Sequence, residues 1–292
     1  MPSTRDIRRR IKSVKSTAQI TKAMQMVASS KMRKAQQAAL AGRPYARLMY
    51  RIQREVTTHA GDFTDPLLEV RPVRKRAVIL VGTDKGLCGA LNSNLLREAA
   101  KLDPETTLFI TAGRKASQFI ARTRRHLTAE FTYKDTPQFS EARAMATFAA
   151  DMFIKGEADA VDVLFTRFVN TLSQRPVQIQ LLPIGRSKGL EEIDGTGEGQ
   201  ETLAGNGSEF LFEPNPAHVL GALLPHYLNF NMYQVLVEAK ASEQSARMVA
   251  MKNATDNAHQ IIKDLTLEYN KIRQASITKE LLEISSAAMS LG

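Results

Sequence analysis

The residues most able to carry chemistry lie in a glycine-rich turn that follows the first strongly apolar run. The stretch GTDKGLCG begins at Gly82 and ends at Gly89. A turn of this kind between a strand and a helix is where dinucleotide-binding enzymes hold a pyrophosphate. Its spacing is G-x-x-x-G-x-x-G, which fits neither the dinucleotide pattern nor the P-loop. The spacing favours a structural turn and leaves a Rossmann-like enzyme as an alternative.

The remaining reactive side chains form no catalytic pattern. Cys88 is the only cysteine, so the chain forms no internal disulfide and suits a reducing compartment. No cysteine–histidine pairing is suggested by spacing, and a small buried thiol is the favoured interpretation. The histidines show no metal-ligand spacing; they are His59, His126, His218, His226 and His259. We expect no catalytic residue, cofactor, metal or small-molecule substrate.

The positive charge of the chain is concentrated at its beginning. From Met1 to Val56 there are 14 Lys and Arg residues against Asp6 and Glu55, a net charge of +12, whereas the whole chain carries +10. Such a block fits nucleic acid, an anionic membrane or an acidic protein partner. No aromatic residue precedes Tyr45, which is unfavourable for stacking on single strands. A solvated helical face, part of which meets an acidic partner, is preferred, and a basic coiled-coil nucleic-acid-binding protein remains an alternative.

The beginning of the chain predicts one long helix. From Thr4 to about Thr58, Gly42 is the only glycine and Pro44 is the only proline, and these are the two residue types that most disfavour a helix. Apolar and small residues recur there at alternating steps of four and three. These positions are Ile7, Ile11, Val14, Ala18, Thr21, Gln25, Ala28, Met32, Ala35 and Ala39.

The end of the chain predicts a longer helix, because no glycine follows Gly221 until the last residue. Its expected seam is Val235, Ala239, Ser242, Ala246 and Val249, and then Ala254, Ile261, Leu265, Glu268, Ile272 and Ala275. Neither helix can bury such a stripe alone. We therefore predict a coiled coil of the two terminal helices, with small seam residues that contribute modestly to stability.

The middle of the chain alternates short β-rich runs with helical stretches. The runs are RAVILVGT, TLFITAG, DAVDVLFTRFV and PVQIQLLPIG, and the helices are expected near residues 92–102, 114–122 and 140–155. This alternation predicts an α/β domain with a mostly parallel sheet. The domains are expected at residues 1–58 (N-terminal helix), 74–185 (α/β domain), 186–212 (glycine-rich flexible loop and foot) and 213–292 (C-terminal helix).

Five segments carry a resemblance to a known family. ITKAMQMVASSKMRKAQ begins at Ile20, and ASEQSARMVAMKNATDNA with YNKIRQASITKELLEI lies between Ala241 and Ile284. TDKGLCGALN begins at Thr83 and FVNTLSQ at Phe168. Together they closely resemble the terminal helices and central-domain signatures of bacterial-type F-type ATP synthase gamma subunits, in order and over nearly the whole chain.

The resemblance implies an antiparallel coiled coil inserted into a ring of alpha and beta subunits, with a Rossmann-like domain outside it. The implied function is that of a non-catalytic rotor shaft that couples a proton-translocating membrane ring to ATP synthesis. The implied partners are the alpha, beta, epsilon and delta subunits and the membrane c-ring, with no nucleic acid. No secretion signal, transit peptide or membrane span is apparent. A peripheral location on the cytoplasmic face of a bacterial inner membrane is therefore expected.

The resemblance also implies site residues. The family's catch contact with the beta subunit maps onto Arg273 and Gln274. Met24 corresponds to a coupling position near an acidic region of beta, and the alternative interpretation is that it only fills the seam. The foot that approaches the rotor ring and epsilon includes Phe210 and Phe212.

A rotor tip needs non-directional apolar contacts, because oriented hydrogen bonds would hold it at one angle. The C-terminal residues that suit such a bearing are Leu281, Leu282, Ile284, Met289 and Leu291, with Ala287 and Ala288 between them. The same residues would also serve as an ordinary helix end.

Overall fold

The computed structural model describes residues 3–59, 65–184 and 215–290. The predicted loop at 186–212 lies outside these ranges. In chain order the elements are α1 (Thr4–His59), a 3₁₀ turn (Pro66–Leu68), β1 (Arg76–Val81), α2 (Leu91–Lys101), β2 (Thr107–Ala112), α3 (Arg114–Arg122), β3 (Leu127–Phe131), α4 (Phe139–Ile154), β4 (Ala160–Phe168), β5 (Gln174–Leu182) and α5 (Pro216–Ser290). None of the helices over these ranges meets the length and hydropathy needed to cross a bilayer.

The chain divides into two compact units. One consists of Met1–Ser29 with Arg247–Gly292, and the other of Ser30–Ala246. We call them the helical unit and the α/β unit. Helices α1 and α5 contribute to both.

The α/β unit is built on a five-stranded sheet of order β3-β2-β1-β4-β5. The first four strands are parallel and β5 is antiparallel to β4. The prediction of a mostly parallel sheet flanked by helices is confirmed. Strand β3 was not predicted, because LTAEF mixes apolar and polar residues and lies at the sheet edge, where its side chains are only half-buried.

Both faces of this sheet are covered, which explains why β1 is an unbroken apolar run. Alternate side chains of a strand point to opposite faces. Ile79 and Val81 belong to a large core that includes residues of α4 and α5, whereas Val78 and Leu80 join a smaller core with residues of α2 and α3. The sheet therefore supports α5 on one side over a continuous apolar surface.

Within the α/β unit, α1 and α5 pack closely and in opposite directions. A Cβ built on Gly42 would lie 1.7 Å from the amide nitrogen of Gln234, and the Tyr45 and Phe230 rings have centroids 4.6 Å apart. A step forward along α1, from Gly42 to Tyr45, therefore corresponds to a step backward along α5, from Gln234 to Phe230. The antiparallel pairing is confirmed, and at Gly42 the amide end of the Gln234 side chain occupies the space that a Cβ would take.

The helical unit is a two-helix seam with small occupants. Ile7, Ala18, Thr21 and Ala28 are buried on α1. The Oγ1 atoms of Thr21 and Thr255 are hydrogen-bonded across the seam at 2.7 Å. Throughout α1 all ten predicted seam positions are buried or half-buried, so this part of the prediction is confirmed.

The predicted seam of α5 is wrong after Ala254. Ile261, Glu268 and Ala275 are exposed, and only Leu265 and Ile272 were placed correctly beyond that point. The observed seam is Met251, Thr255, Ala258, Ile262, Leu265, Tyr269 and Ile272. It keeps a strict alternation of four and three. The error arose because Thr255 and Ala258 are too small or too polar to stand out as seam residues, whereas Ile261 is apolar but faces outward.

Candidate partner interface

The glycine-rich turn uses its polar groups internally. The Thr83 hydroxyl donates to the Lys85 carbonyl at 2.8 Å, and the Asn92 amide donates to the Thr83 oxygen at 2.9 Å. The Asp84 carboxylate accepts from the backbone N–H of Arg114 at 3.0 Å, at the first residue of α3. Helix N-termini are the groups that would otherwise receive an anion. The turn therefore closes on itself and also caps the neighbouring helix.

Helix α5 covers the carboxyl ends of β1 and β4, where doubly wound sheets bind ligands because the strand order reverses there. The Tyr133 hydroxyl donates to the Gly82 carbonyl just after β1, and Lys240 of α5 lies over the Tyr133 ring at 4.9 Å. At the end of β4, the N–H of Phe168 donates to the Glu238 carboxylate of α5. The usual ligand crevice is therefore filled by the protein's own C-terminal helix.

Cys88 is a packing residue in this arrangement. It is 1% exposed and forms a small buried cluster with Leu91 and Ala246. The Asn92 amide donates to its sulfur at 3.3 Å. Among the described residues, no group of three or more His, Cys, Asp or Glu side chains could hold a metal. The thiol fixes the glycine-rich turn against α5.

A buried ionic cluster joins α1, α5 and the loop after β3. Lys240 donates to Glu243 at 3.0 Å and lies 3.3 Å from Asp135, while Lys31 of α1 donates to the other Asp135 oxygen at 2.5 Å. Lys240 and Glu243 are each 3% exposed at the side chain, whereas Lys31 and Asp135 are about half-exposed. Tyr133 completes the cluster beneath Lys240. We call these five residues the ionic cluster.

Hydrogen bonding and burial shift the pKa of two members of the ionic cluster, Asp135 and Tyr133. Hydrogen bonding from Lys31, aided by Lys240, lowers the pKa of Asp135 from 3.8 to about 2. Burial raises the pKa of the Tyr133 phenol well above its usual value, and the negative charge of Glu243 adds to this. Asp135 is therefore ionised and Tyr133 is a neutral donor at any physiological pH. No sequence pattern pointed to this cluster, because its members are far apart in the chain and look individually like solvated charges.

The predicted catch residues lie on the exposed surface of α5 in the helical unit. The Arg273 guanidinium lies 6.0 Å from the ring centroid of Tyr269, one turn earlier. This contact holds the Arg273 guanidinium near the surface of α5, while Gln274 faces solvent. Both side chains are therefore available to a partner.

The predicted tip residues that the structure describes are strongly exposed. Leu281, Leu282 and Ile284 are 62%, 63% and 66% exposed. Phe210, Phe212 and Leu291 lie outside the described residues, as does the side chain of Met289. The final turns of α5 thus present large apolar side chains that nothing in this chain covers among the described residues.

Farther from that end of α5, level with Thr255, α1 carries further apolar side chains. The predicted coupling residue Met24 is half-buried at the edge of the seam. Ile20, Met26 and Val27 are more than half exposed, and sequence reasoning missed them because they fall outside the seam repeat. Their exposed apolar character was nevertheless a usable signal. Apart from half-buried Met24, the candidate residues that the structure describes thus lie on exposed faces of α1 and α5, as in a partner-binding surface.

Comparisons with known proteins agree with this geometry. A family model described as ATP synthase matches residues 3–291. The chain is 50% identical over 289 residues to the ATP synthase gamma chain of Opitutus terrae, covering 98% of each chain, and 45% identical over 297 residues to that of Methylacidiphilum infernorum, covering both completely.

Solved structures show the same fold. A chain of the Euglena gracilis mitochondrial ATP synthase, from a structure of its OSCP/F1/c-ring, superposes with a TM-score of 0.70 at 20% identity. The match covers 99% of this chain and 94% of that one. A rotor chain of the same enzyme gives a TM-score of 0.65 over 94% of this chain. With full-length relatives at these identities, the chain belongs to the ATP synthase gamma chain family.

Proposed function

We propose that the chain is the central rotor shaft of a proton-translocating F-type ATP synthase. The observation that carries this proposal is the helical unit, where a slender antiparallel pair leaves its outer apolar residues uncovered in a chain that matches gamma chains over its full length. Such a surface is expected to be covered in an assembly. A shaft inside a ring of alpha and beta subunits would cover it.

The mechanism follows from symmetry. A two-helix shaft has no threefold axis, so within a threefold ring it presents a different surface to each beta subunit and holds each catalytic site in a different state. Rotation exchanges those states. By reciprocity, a nucleotide that favours one state of beta also favours one shaft angle, and the same machine can synthesise or hydrolyse ATP.

We infer that the chain itself is non-catalytic. Two observations support this: the ligand crevice of its sheet is filled by α5, and the glycine-rich turn satisfies its own polar groups. Its function would then depend wholly on contacts with other subunits.

Arg273 and Gln274 are proposed as the catch that transmits torque to beta. Both are exposed on α5, and a planar guanidinium can form paired hydrogen bonds to a carboxylate. A hydrogen bond to a charged group contributes about 1.5 to 3 kcal/mol, so a few such bonds favour one angle without locking the shaft. Met24 is proposed to lie near an acidic region of beta, where Met24→Lys would add an ion pair and lower coupling.

The exposed apolar end of α5 is proposed as the bearing. Leu281, Leu282 and Ile284 can slide against an apolar sleeve because their contacts have no preferred direction. Met289 and Leu291 are assigned to the same bearing. Phe210 and Phe212 are assigned to the foot that approaches the c-ring and epsilon.

The proposed partners are the alpha and beta subunits around the shaft, epsilon and the c-ring at the foot, and delta elsewhere in the same complex. The proposed location is peripheral, on the cytoplasmic face of a bacterial inner membrane. The net charge of +10 would favour contact with acidic surfaces of partner subunits.

Reconstitution tests this function. Alpha and beta subunits of the same organism are assembled with and without this chain, and steady-state ATP hydrolysis is measured. We expect the chain to co-purify in stoichiometric amounts and to restore cooperative turnover. Assembly of an equally active ring without it, or its failure to co-purify, would refute the proposal.

The catch is tested by Arg273→Ala combined with Gln274→Ala in the assembled complex. Coupled ATP turnover should fall about tenfold or more, because at least one charged hydrogen bond is lost at each catalytic dwell. The matched control is Lys271→Ala, an exposed cation two residues earlier on α5. Equal turnover in the double variant and the control would exclude a catch at these positions.

A further inference from the structure

The ionic cluster has a geometry that packing of α5 on the sheet does not require. Asp135, in the loop after β3, binds a lysine of α1 through one carboxylate oxygen and a lysine of α5 through the other. Lys240 in turn contacts Glu243 and the Tyr133 ring. One carboxylate therefore ties both long helices to the loop that supports them.

The apolar core already holds α5 against the sheet. Leu228, Met232 and Leu236 of α5 are at most 2% exposed and belong to the same core as Ile79 and Val81 of β1. Apolar contacts resist separation but are not directional, so they oppose sliding and twisting poorly. Hydrogen bonds between charged groups are directional and stronger than neutral ones. The ionic cluster therefore adds resistance to the movements that the core permits.

Stability alone is a weak reason for placing these charges in the interior. Removing ions from water is costly, and well-packed apolar residues often replace a buried ion pair without loss. Lys240 and Glu243 are nevertheless almost fully buried and pair with each other, and Lys240 also pairs with Asp135. The stability of the fold does not explain why these charges are buried. A need to hold the two helices in a fixed position under load does explain it.

We propose that Asp135 and Lys240 are positioning residues that brace α1 and α5 against the α/β domain when the chain transmits torque. This inference rests on the proposed shaft function. Torque that passes between the domain and the helices tends to turn the helix pair relative to the sheet. The bridge from Lys31 through Asp135 to Lys240 opposes that turn, because any slip of either helix breaks a charged hydrogen bond.

The experiment uses the complete ATP synthase in sealed vesicles and compares two rates for each variant. One is ATP synthesis driven by a proton gradient, in which the shaft works under load. The other is ATP hydrolysis with the gradient collapsed by an uncoupler, in which the load is low. The variants are Asp135→Asn, which is close in shape to the wild type, and Lys240→Met, which keeps most of the side-chain length without the charge.

We expect each variant to lower the ratio of synthesis to uncoupled hydrolysis about fivefold, the scale of one partly exposed ion pair. The KM for ATP should stay unchanged, because the catalytic sites are untouched. Lys240→Arg, which keeps the positive charge, should recover most of the ratio. A cluster needed only for folding would lower both rates by the same factor, through a smaller amount of assembled enzyme.

The matched control is Asp162→Asn. Asp162 is 2% exposed and bonds Arg76 and Gln178 within the sheet, where these contacts involve strands only. This variant should leave the ratio unchanged even where it lowers the yield of enzyme. If Lys240→Met does not assemble, Asp135→Asn and Lys31→Met decide the outcome, because both positions are about half-exposed.

An unchanged ratio in Asp135→Asn, or an equal fall in the Asp162→Asn control, would overturn the inference. That failure is separate from a failure of the proposed function. If the wild-type chain did not restore coupled turnover at all, the shaft function would fall first, whereas restored turnover with insensitive variants would reject the brace alone.

Discussion

The helical unit and the α/β unit bury their side chains in different ways. The α/β unit encloses large residues such as Phe109, Phe153 and Phe165 in cores on both sides of a sheet. The helical unit has one seam, whose central contact is a hydrogen bond between Thr21 and Thr255. The first can be stable by itself, since it removes much apolar surface from water, but the second cannot gain much from so narrow a seam.

The two units also differ in the apolar side chains that they leave exposed. In the helical unit Leu267 is 70% exposed, and the last described apolar side chains of α5 are more than 60% exposed. Isolated exposed leucines are ordinary, but a series along a thin helix pair is a surface for partners. The comparison indicates that the α/β unit buries most of its large apolar residues within the chain, whereas the helical unit leaves many of its own exposed.

The largest effect is expected in the α/β core. Phe109→Ala removes a fully buried ring between β2 and its covering helices. The free energy of unfolding of the full-length chain should fall by about 3 to 5 kcal/mol, the usual cost of such a cavity. Urea unfolding followed by circular dichroism measures this.

The control for that prediction is Leu172→Ala, a residue 81% exposed in the turn between β4 and β5. Its unfolding free energy should stay within about 0.5 kcal/mol of the wild type. Comparable losses in the two variants would show that the α/β unit is not held by the cores described above.

A smaller effect is expected in the seam of the helical unit. Leu265 is 8% exposed, and Leu265→Ala should destabilise the isolated chain by about 2 kcal/mol, at the low end of the range for leucine because the narrow seam can partly close. Leu267→Ala, two residues away, should have almost no effect on the isolated chain. In the assembled complex we expect Leu267→Ala to have the larger effect of the two variants. It should lower the midpoint temperature at which the complex dissociates. Identical behaviour of Leu267→Ala in both settings would mean that no partner covers that side of α5.

The sequence was sufficient to predict both long helices, the α/β middle and the seam of α1. The α1 seam could be predicted because Ile7, Ile11 and Val14 establish the repeat of four and three before smaller residues continue it. In α5 the true seam passes through Thr255 and Ala258, while outward-facing Ile261 offers a stronger apolar signal. A repeat predicted from hydrophobicity is wrong where an outward-facing residue such as Ile261 is more apolar than the seam residues beside it.

The candidate interface also contains residues that the sequence could predict and residues that it could not. The family motif predicted Arg273 and Gln274 by position, and the structure shows that both are exposed, while their contact with beta stays a prediction. The ionic cluster could not be predicted, because Lys31, Asp135 and Lys240 meet only after three separate elements are placed. Long-range pairing of charges leaves no periodic signal in a sequence.

The pH dependence of the free energy of unfolding tests how much the Asp135 carboxylate contributes to holding α1 and α5 in the α/β unit. The pKa of Asp135 is lowered from 3.8 to about 2. Because the folded value is the lower one, the stabilisation is fully present well above pH 3.8 and is lost as the pH falls toward 2. Allowing for the half-exposed position of the group, its size is about 1 kcal/mol. Asp135→Asn should therefore destabilise the full-length chain at pH 6, and the difference from wild type should shrink between pH 5 and pH 2.5.

Urea unfolding at a series of pH values measures that difference. Asp151→Asn is a suitable control, since Asp151 is exposed on α4 and its carboxylate forms no hydrogen bond or ion pair with another described residue. A difference between wild type and Asp135→Asn that did not vary with pH would mean that shape, and not charge, is what Asp135 contributes.

The smallest effect, and the only gain, is expected at the close approach of α1 and α5. A methyl group on Gly42 would meet the amide end of Gln234, which is the far end of a flexible side chain and has no hydrogen-bond partner among the described residues. Rotating that amide breaks no bond, while alanine gains up to about 1 kcal/mol over glycine inside a helix. Gly42→Ala should therefore raise the unfolding free energy slightly, as measured by urea denaturation. A loss of more than about 1 kcal/mol would show that the helix backbones must separate to admit a methyl group, so that their spacing here is fixed by close packing within the chain itself.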